Sequence, residues 1–499
     1  MMQASTKQLP WILLALASFS VTLCFYPWNA DACFSVNDAL WYAHSAENDG
    51  LASIYGHHPL FHLLLLPITA AVDFAGVPHA GHVAIRVVAG GGLAAIIMLC
   101  GALAGWRRRA LPLLLLLLAS RCIFVESAVG ECLALSAASI LLAFKYALDP
   151  SVSWLRVAAA TVLALLVRQD AVLIVPGILV ALHLRTPPQE RSFGRLARWL
   201  VGTGIVTLAL YALLWKLSQV PDFLQFLLSI TEVQDRTWAQ PTMPGLSELS
   251  MRIAMLGVAA AGAHNHHYAL ALNAGIGCAW IAALWLTSRL CGASATPAPL
   301  RWGLLTILGA RFGFYTWFEA HNHEWWFVDL VLLTATCASS LRTPRHGVRP
   351  AAVLVVALGV AGLLYAHGPS TWLQRRTTLA DAAAVAAEWS HDPMQPVVLS
   401  YGYRPHAALH LLAIPHNPQI LAEPPKPEEA GRRLRDALMS TTKPIVVLID
   451  RFAGDGQPYQ YQFTEDYLTT WVDLVPPIPP SRAWKQLGKT QVLWLQKPN

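Results

Sequence analysis

Long apolar runs separated by short polar segments fill residues 9 to 366, and they limit the possible folds more than any other feature. Only 13% of the residues are charged, whereas soluble domains carry about 25%. A helix that crosses a bilayer needs about 20 mainly apolar residues, and fewer when it is short or tilted. The sequence therefore predicts an α-helical polytopic membrane protein. The net charge of +6 gives no case for nucleic-acid binding, because much of it lies in loops between apolar runs.

The basic residues of these loops predict how the chain is oriented, because lysine and arginine favour the cytoplasmic side of a membrane. The cluster Arg107-Arg108-Arg109 falls on that side only if the run from Leu60 to Val77 does not span. We therefore expect this run to form a juxtamembrane helix in the outer interface. The result is eleven spans, with the N-terminus cytoplasmic and the C-terminus periplasmic. A composition rich in Ala, Leu, Arg and Trp indicates a bacterial inner membrane.

A change of composition near residue 368 predicts two domains. Residues 1–367 form a transmembrane domain whose first outer loop covers residues 28–81, and residues 368–499 form a small, soluble, periplasmic α/β domain. Period-2 and helical apolar patterns support the second domain. Its predicted strands are Pro396–Tyr401, Pro444–Asp450 and Gln491–Gln496, and its predicted helices are Leu379–Trp389 and Glu428–Met439.

The first outer loop concentrates carboxylates and imidazoles and has no lysine or arginine between Asp31 and Pro67. Ionisable groups at a membrane are costly and by default indicate function. Asp38 is the first candidate for a general base. Asp31 is the second, with a helix cap at the end of the first span as its alternative role. Asp49 is more typical of an Asn48-Asp49-Gly50 turn.

Several other polar groups fall on the same predicted face, which suits a site that binds an anionic lipid head and activates a hydroxyl. Arg168 is a candidate phosphate ligand, with an ion pair to Asp170 as the alternative. Arg86 is a second candidate, with snorkelling to the interface as its alternative. His57 and His58 are candidate ligands of phosphate or metal, although His58 is also placed to cap the helix that begins at the next residue.

Two histidine-rich turns add weaker candidates. Imidazoles of His264, His266, His321 and His323 can together hold zinc or manganese; hydrogen bonding to sugar or phosphate and interface structure are the alternatives. Trp325 and Trp326 are typical of an interfacial aromatic belt, with a sugar-stacking platform as the alternative. The eight cysteines are expected to be small apolar packers, with a Cys33–Cys122 or Cys122–Cys132 disulfide as the alternative.

The order of these features resembles the GT-C fold glycosyltransferases, which include protein O-mannosyltransferases and bacterial aminoarabinose transferases that use polyprenyl-phosphate sugars. The resemblance is carried by Asp38-x-x-x-Tyr42, by His57-His58-Pro59-Leu60, by Arg86 at the head of the next span, and by the turn Arg168-Gln169-Asp170. The chain departs from the pattern at Asn37, where many members have a second acid, and at Leu60, where several have proline.

The resemblance implies an inverting membrane glycosyltransferase that moves a sugar from a polyprenyl-phosphate donor to a periplasmic lipid, glycan or protein acceptor. It implies no certain cofactor, although a divalent metal is a candidate. A transporter or flippase of a lipid-linked or anionic solute is the alternative, but the sequence shows no internal repeat and Arg311 is its main mid-span charge. From the resemblance and the shared predicted face together, the candidate base is Asp38, with Asp31 second, and the candidate substrate-binding residues are Tyr42, His57, His58, Arg86, Glu126, Arg168, His321, His323 and Glu324.

Overall fold

The computed structural model describes residues 2–24, 37–54, 56–77, 80–123, 127, 132–218, 220–227, 245–261, 270–291, 293, 296–320, 322 and 324–341, together with five strands between residues 397 and 495. The chain divides into two compact units. One comprises Met1–Phe25, Trp41–Ala263 and Tyr268–His367, and the other comprises Tyr26–Leu40, His264–His267 and Gly368–Asn499.

Helices dominate the part of the chain that precedes the strands. Of the helices described there, those at residues 80–103, 193–217 and 270–290 are long and apolar enough to cross a membrane. This confirms a mainly helical membrane fold, whereas the total of eleven spans stays a prediction. The described α-helices are α1 (Met2–Cys24), α2 (Asn37–Asn48), α3 (Pro59–Phe74), α4 (Ala80–Leu103), α5 (Leu111–Leu118), α6 (Leu133–Leu148), α7 (Trp154–Val167), α8 (Val175–Arg185), α9 (Phe193–Leu217), α10 (Phe223–Leu227), α11 (Leu246–Ala261), α12 (Leu270–Leu290), α13 (Ala298–Glu319) and α14 (Trp326–Ser339).

Helix α4 lies at the centre of the bundle, where it packs against α1, α3, α6 and α14. Small residues let these helices approach closely, because packing rather than hydrophobic exclusion holds helices together in lipid. A Cβ added at Gly92 of α4 would lie 2.5 Å from the backbone nitrogen of Leu135 on α6. Glycine is therefore required where these two helices cross.

Helix α3 begins where the sequence predicts the juxtamembrane helix. Pro59 occupies the first turn, where its fixed φ suits a helix and its missing N–H would have no helical partner. The helix packs against α4 and α7. A helix over this run is confirmed, while its place in the outer interface stays a prediction.

The second unit contains a five-stranded sheet with the order β2-β1-β3-β5-β4. Strand β1 is parallel to both of its neighbours, β3 and β5 are antiparallel, and β5 and β4 are antiparallel. Three of the strands cover the predicted apolar runs, whereas the two predicted helices lie outside the described residues. The strands are β1 (Val397–Tyr401), β2 (Asn417–Gln419), β3 (Ile445–Asp450), β4 (Ala483–Leu487) and β5 (Thr490–Leu495).

Candidate functional site

The site is built around the break between α7 and α8. Helix α7 ends at Val167, Arg168 adopts an extended backbone, and a 3-10 helix follows over Gln169–Ile174. The break brings Arg168 Nε to 2.9 Å from Asp170 Oδ1, and both side chains are buried. The predicted alternative for Arg168, an ion pair with Asp170, is thus present.

Two residues of α13 reach the other carboxylate oxygen of Asp170. The hydroxyl of Tyr315 donates a hydrogen bond to Asp170 Oδ2. Arg311 Nη1 lies 3.7 Å from the same oxygen. Arg311 and Tyr315 are four residues apart, so both side chains project from one face of the helix.

Asp329 of α14 joins two arginines from different helices. Its Oδ1 lies 2.6 Å from Arg311 Nε, and its Oδ2 lies 3.5 Å from Arg252 Nη2 on α11. All three side chains are almost fully buried. We call Arg168, Asp170, Arg252, Arg311, Tyr315 and Asp329 the arginine–aspartate network. Three arginines and two aspartates leave it with one positive charge in excess (3 − 2 = 1).

The network also binds the backbone of the segment between α13 and α14. Arg252 Nη1 donates to the carbonyl of Asn322 over 3.3 Å, and Arg311 Nη2 donates to the carbonyl of Trp325 over 3.0 Å. The thiol of Cys122 contacts the carbonyl of Glu324 at 3.9 Å. Buried side chains from three parts of the chain therefore hold this segment.

Trp326 is buried and Trp325 is half-buried, so a lipid-facing position does not fit Trp326, whereas the interfacial position of Trp325 stays a prediction. The ring of Trp325 stacks on Tyr315 with centroids 4.6 Å apart, and Arg168 Cζ lies 4.3 Å from its centroid. The indole N–H of Trp326 donates to the carbonyl of Arg252 over 3.1 Å. Both indoles therefore have partners within the network.

Imidazoles and a tyrosine from residues 42–62 meet the network on the side of Arg168. Tyr42 contacts the edge of His62 at a centroid distance of 4.8 Å, and His57 lies 4.1 Å from His58. Cys132 Sγ lies 3.6 Å from His58 Nε2 and 3.6 Å from Arg168 Nη1. The structure therefore brings together four predicted residues: Tyr42, His57, His58 and Arg168.

His58 is buried beside this cluster. Burial lowers its pKa well below the ordinary value of 6.5, and the neighbouring His57 and Arg168 lower the pKa further. The ring is therefore neutral at neutral pH and offers one donor and one acceptor nitrogen. His58 occupies the N-cap position of α3, as predicted, but its imidazole makes no capping hydrogen bond there.

Three other expectations have a structural outcome. The side chain of Arg86 is buried on α4, which does not fit snorkelling to the interface. Asp49 precedes a 3-10 helix and Gly50 has a φ of 55°, so the predicted turn is confirmed. Cys122 and Cys132 are free thiols, so the alternative of a disulfide between them is wrong.

Several predicted residues lie outside the described part of the chain. Asp38 lies in the first turn of α2, but its side chain is not among the described atoms. In the part of the chain that is described, no three His, Cys, Asp or Glu side chains cluster as metal ligands would. The predicted residues outside the described ones are Asp31, Glu126, His264, His266, His321 and His323.

Most of the network was not predicted from the sequence. Arg252, Tyr315 and Asp329 were not expected at a site, and Arg311 was noted only as a charge within a span. A signal was present, because Arg311 and Asp329 are opposite charges inside consecutive apolar runs. Charges in such runs are rare and usually pair with one another.

Two crystal structures of ArnT from Cupriavidus metallidurans share this fold. The structure bound to undecaprenyl phosphate has a TM-score of 0.59 at 14% identity, covering 98% of this chain and 99% of the other. The apo structure has a TM-score of 0.59 at 13% identity, covering 100% of each chain. No protein-family model and no curated protein matches the chain. The chain therefore has the fold of the aminoarabinose transferase ArnT, a GT-C fold, which confirms the predicted resemblance at the level of fold.

Proposed function

We propose that this protein is an integral-membrane glycosyltransferase that moves a sugar from a polyprenyl-phosphate donor to a periplasmic lipid, glycan or protein. The observation that carries the proposal is the likeness, over the whole chain, to an ArnT structure bound to undecaprenyl phosphate. We place the protein in the bacterial inner membrane, with the reaction and the C-terminal domain on the periplasmic side.

The arginine–aspartate network supplies the charge that a phosphate needs. Among its described residues the network has one more guanidinium than carboxylate, and these side chains are buried. Cys132 Sγ contacts both Arg168 and His58. Arg168 is therefore the member of the network that lies beside the histidines. A guanidinium binds phosphate through charge-assisted hydrogen bonds. We therefore assign the donor phosphate to Arg168, with His57, His58 and Tyr42 beside it, and keep Arg86 as a second candidate ligand.

The proposed reaction is a single displacement. The acceptor hydroxyl gives its proton to the carboxylate of Asp38 while its oxygen bonds to the anomeric carbon. The bond between that carbon and the phosphate oxygen breaks, and polyprenyl phosphate leaves with the electron pair. Arg168 stabilises the negative charge that develops on the leaving group. Attack opposite the leaving group inverts the anomeric configuration. Asp31 is the second candidate for the base.

The test is sugar transfer by purified full-length protein from radiolabelled polyprenyl-phosphate sugars. Proton transfer by a positioned base contributes about 10²–10⁴-fold to a rate, so Asp38→Asn should lower kcat by roughly that factor. Asp49→Asn is the matched control, because Asp49 is an exposed acid in the same loop that belongs to a turn. It should keep wild-type activity. An arm with EDTA tests the predicted metal ligands His264, His266, His321 and His323, together with Glu324.

Two outcomes would change the proposal. Full activity in Asp38→Asn would assign the base to Asp31. No transfer from any donor, together with lipid movement across proteoliposomes, would favour the transporter alternative.

A further inference from the structure

We propose that the arginine–aspartate network is a positioning device that holds Arg168 and the segment Asn322–Trp325 as one unit. In this arrangement Asp170 and Tyr315 fix the orientation of the Arg168 guanidinium. Arg311 and Arg252, which Asp329 joins, bind the backbone of the segment. The inference rests on the proposed function in one respect, namely that Arg168 contacts the donor phosphate.

The first step is the orientation of Arg168. Its backbone is extended at the end of α7, and a free arginine side chain samples many rotamers. The ion pair with Asp170 and the contact with the Trp325 ring remove that freedom in the absence of ligand. A ligand that meets a guanidinium already in place does not have to order it, and this preorganisation favours binding.

The second step is the role of Tyr315, which reaches Arg168 by two routes. Its hydroxyl donates to Oδ2 of Asp170, whereas Arg168 pairs with Oδ1 of the same carboxylate. Its ring lies nearly parallel to that of Trp325, with an interplanar angle of 10°. Tyr315 therefore supports both groups that hold Arg168, although it does not itself pair with the guanidinium.

The third step links Arg168 to the segment Asn322–Trp325. Arg311 is shared between Asp170, Asp329 and the carbonyl of Trp325. Arg252 is shared between Asp329 and the carbonyl of Asn322. A displacement of Arg168 must therefore strain contacts to the segment, and disorder of the segment must loosen Arg168. Glu324, a predicted substrate ligand, lies within this segment.

The fourth step is the placement of charge. Asp329 separates two guanidinium groups that repel each other without it. Removing one partner of a buried ion pair is strongly unfavourable, because the remaining charge stays buried. Loss of any one charged member would therefore destabilise the others. The mutual pairing holds these side chains in one arrangement.

The first test compares two tyrosine variants of the full-length protein in nanodiscs. Tyr315→Phe removes one hydroxyl and keeps the ring that stacks on Trp325. Tyr211→Phe is the matched control, because Tyr211 is also buried and its hydroxyl donates to the carbonyl of Leu165 over 2.9 Å. A hydrogen bond to a charged group is worth more than a neutral one, so Tyr315→Phe should weaken undecaprenyl phosphate binding by about tenfold. Tyr211→Phe should bind as the wild type does.

Enzyme kinetics separate positioning from a general loss of structure. In Tyr315→Phe the KM for the sugar donor should rise by about tenfold, while kcat stays within about threefold, because the base lies elsewhere. Asp170→Asn, which keeps the shape of the side chain, should raise the same KM by more than Tyr315→Phe does. A purely structural defect would instead lower the active fraction and leave KM unchanged.

The second test can be decided on the wild-type protein. Amide hydrogen exchange is measured over residues 322–325 of the wild type, with and without undecaprenyl phosphate. If Arg168 and the segment form one unit, the lipid phosphate should slow exchange there by several-fold. In Asp170→Asn the same addition should have little effect.

The outcomes distinguish the two proposals. A wild-type protein that neither binds undecaprenyl phosphate nor transfers sugar would overturn the proposed function. If the wild type binds and Arg168→Ala weakens binding, while Tyr315→Phe and Asp170→Asn bind normally, the positioning proposal fails and the proposed function stands. If undecaprenyl phosphate binds to the wild type and amide exchange over residues 322–325 does not change, Arg168 and the segment are not coupled. This outcome would overturn the positioning proposal even if every variant misfolded.

Discussion

Arg311 Nε lies 2.6 Å from Asp329 Oδ1, and the two buried side chains join consecutive helices of the bundle. Asp329 also forms an ion pair with Arg252, whose Nη2 lies 3.5 Å from Asp329 Oδ2. One carboxylate therefore pairs with guanidinium groups from both α11 and α13. The packing of three helices depends on this acid, since its loss would leave two like charges buried side by side.

Asp329→Asn is expected to lower the free energy of unfolding by about 3–5 kcal/mol, the usual effect of breaking a buried ion pair. Thermal unfolding in detergent measures the change. The double variant Arg311→Met with Asp329→Leu should be less destabilised than the sum of its single variants, by about 0.5–3 kcal/mol. Additive effects would show that the two residues do not interact.

The buried state of His58 predicts a loss of stability in acid. Burial holds the pKa of its imidazole well below 6.5 in the folded protein. Just below pH 6.5 the imidazole is therefore protonated in the unfolded chain and neutral in the folded protein. Stability is then complete above about pH 6.5 and falls as the pH drops below that value. The melting temperature should decrease between pH 7.5 and pH 5.5.

His58→Gln provides the control for this pH effect. It removes the titrating group and keeps a polar side chain, so the decrease in melting temperature below pH 6.5 should become smaller. An equal decrease in the wild type and in His58→Gln would assign the acid sensitivity to other groups.

The close crossing of α4 and α6 gives a prediction with an adjacent control. Gly92→Ala would place its Cβ within 2.6 Å of the backbone of Ala134 and Leu135, whereas a Cβ at Gly91 meets no atom within 4 Å. Overpacking a tight contact costs about 1–3 kcal/mol. Gly92→Ala should therefore lower the melting temperature in detergent, and Gly91→Ala should not. A similar decrease in both variants would point to helix flexibility instead.

The parts of this fold that are encoded locally could be predicted from the sequence. Apolar runs of sufficient length indicated a helical membrane protein, and Pro59 marked the start of α3 because proline suits a first helical turn. The pair Arg168 and Asp170 was also visible, since only one residue separates them. In each case the deciding interaction lies within a few positions along the chain.

The rest of the site could not be predicted because its contacts are remote in sequence. Tyr315 and Asp170 are separated by 145 positions, and Arg252 and Asp329 by 77. Trp326 shows the same limit, since a tryptophan beside a polar turn resembles an interfacial anchor until its partner on another helix is known. Beyond the pair Arg168 and Asp170, charges inside apolar runs were the local sign of the network.

The last prediction concerns the shape of the group at residue 168. Arg168→Lys keeps the positive charge, but an ammonium cannot pair with Asp170, contact Cys132 and cover the ring of Trp325 at the same time, as the planar guanidinium does. The KM for a polyprenyl-phosphate sugar donor should therefore rise by about 10–100-fold, equivalent to about 1.4–2.7 kcal/mol. Initial rates at varied donor concentration measure the effect. Arg156→Lys, an exposed arginine on α7, should leave KM unchanged. A normal KM in Arg168→Lys would transfer the role of phosphate ligand to Arg86, which is the other buried arginine expected at this site.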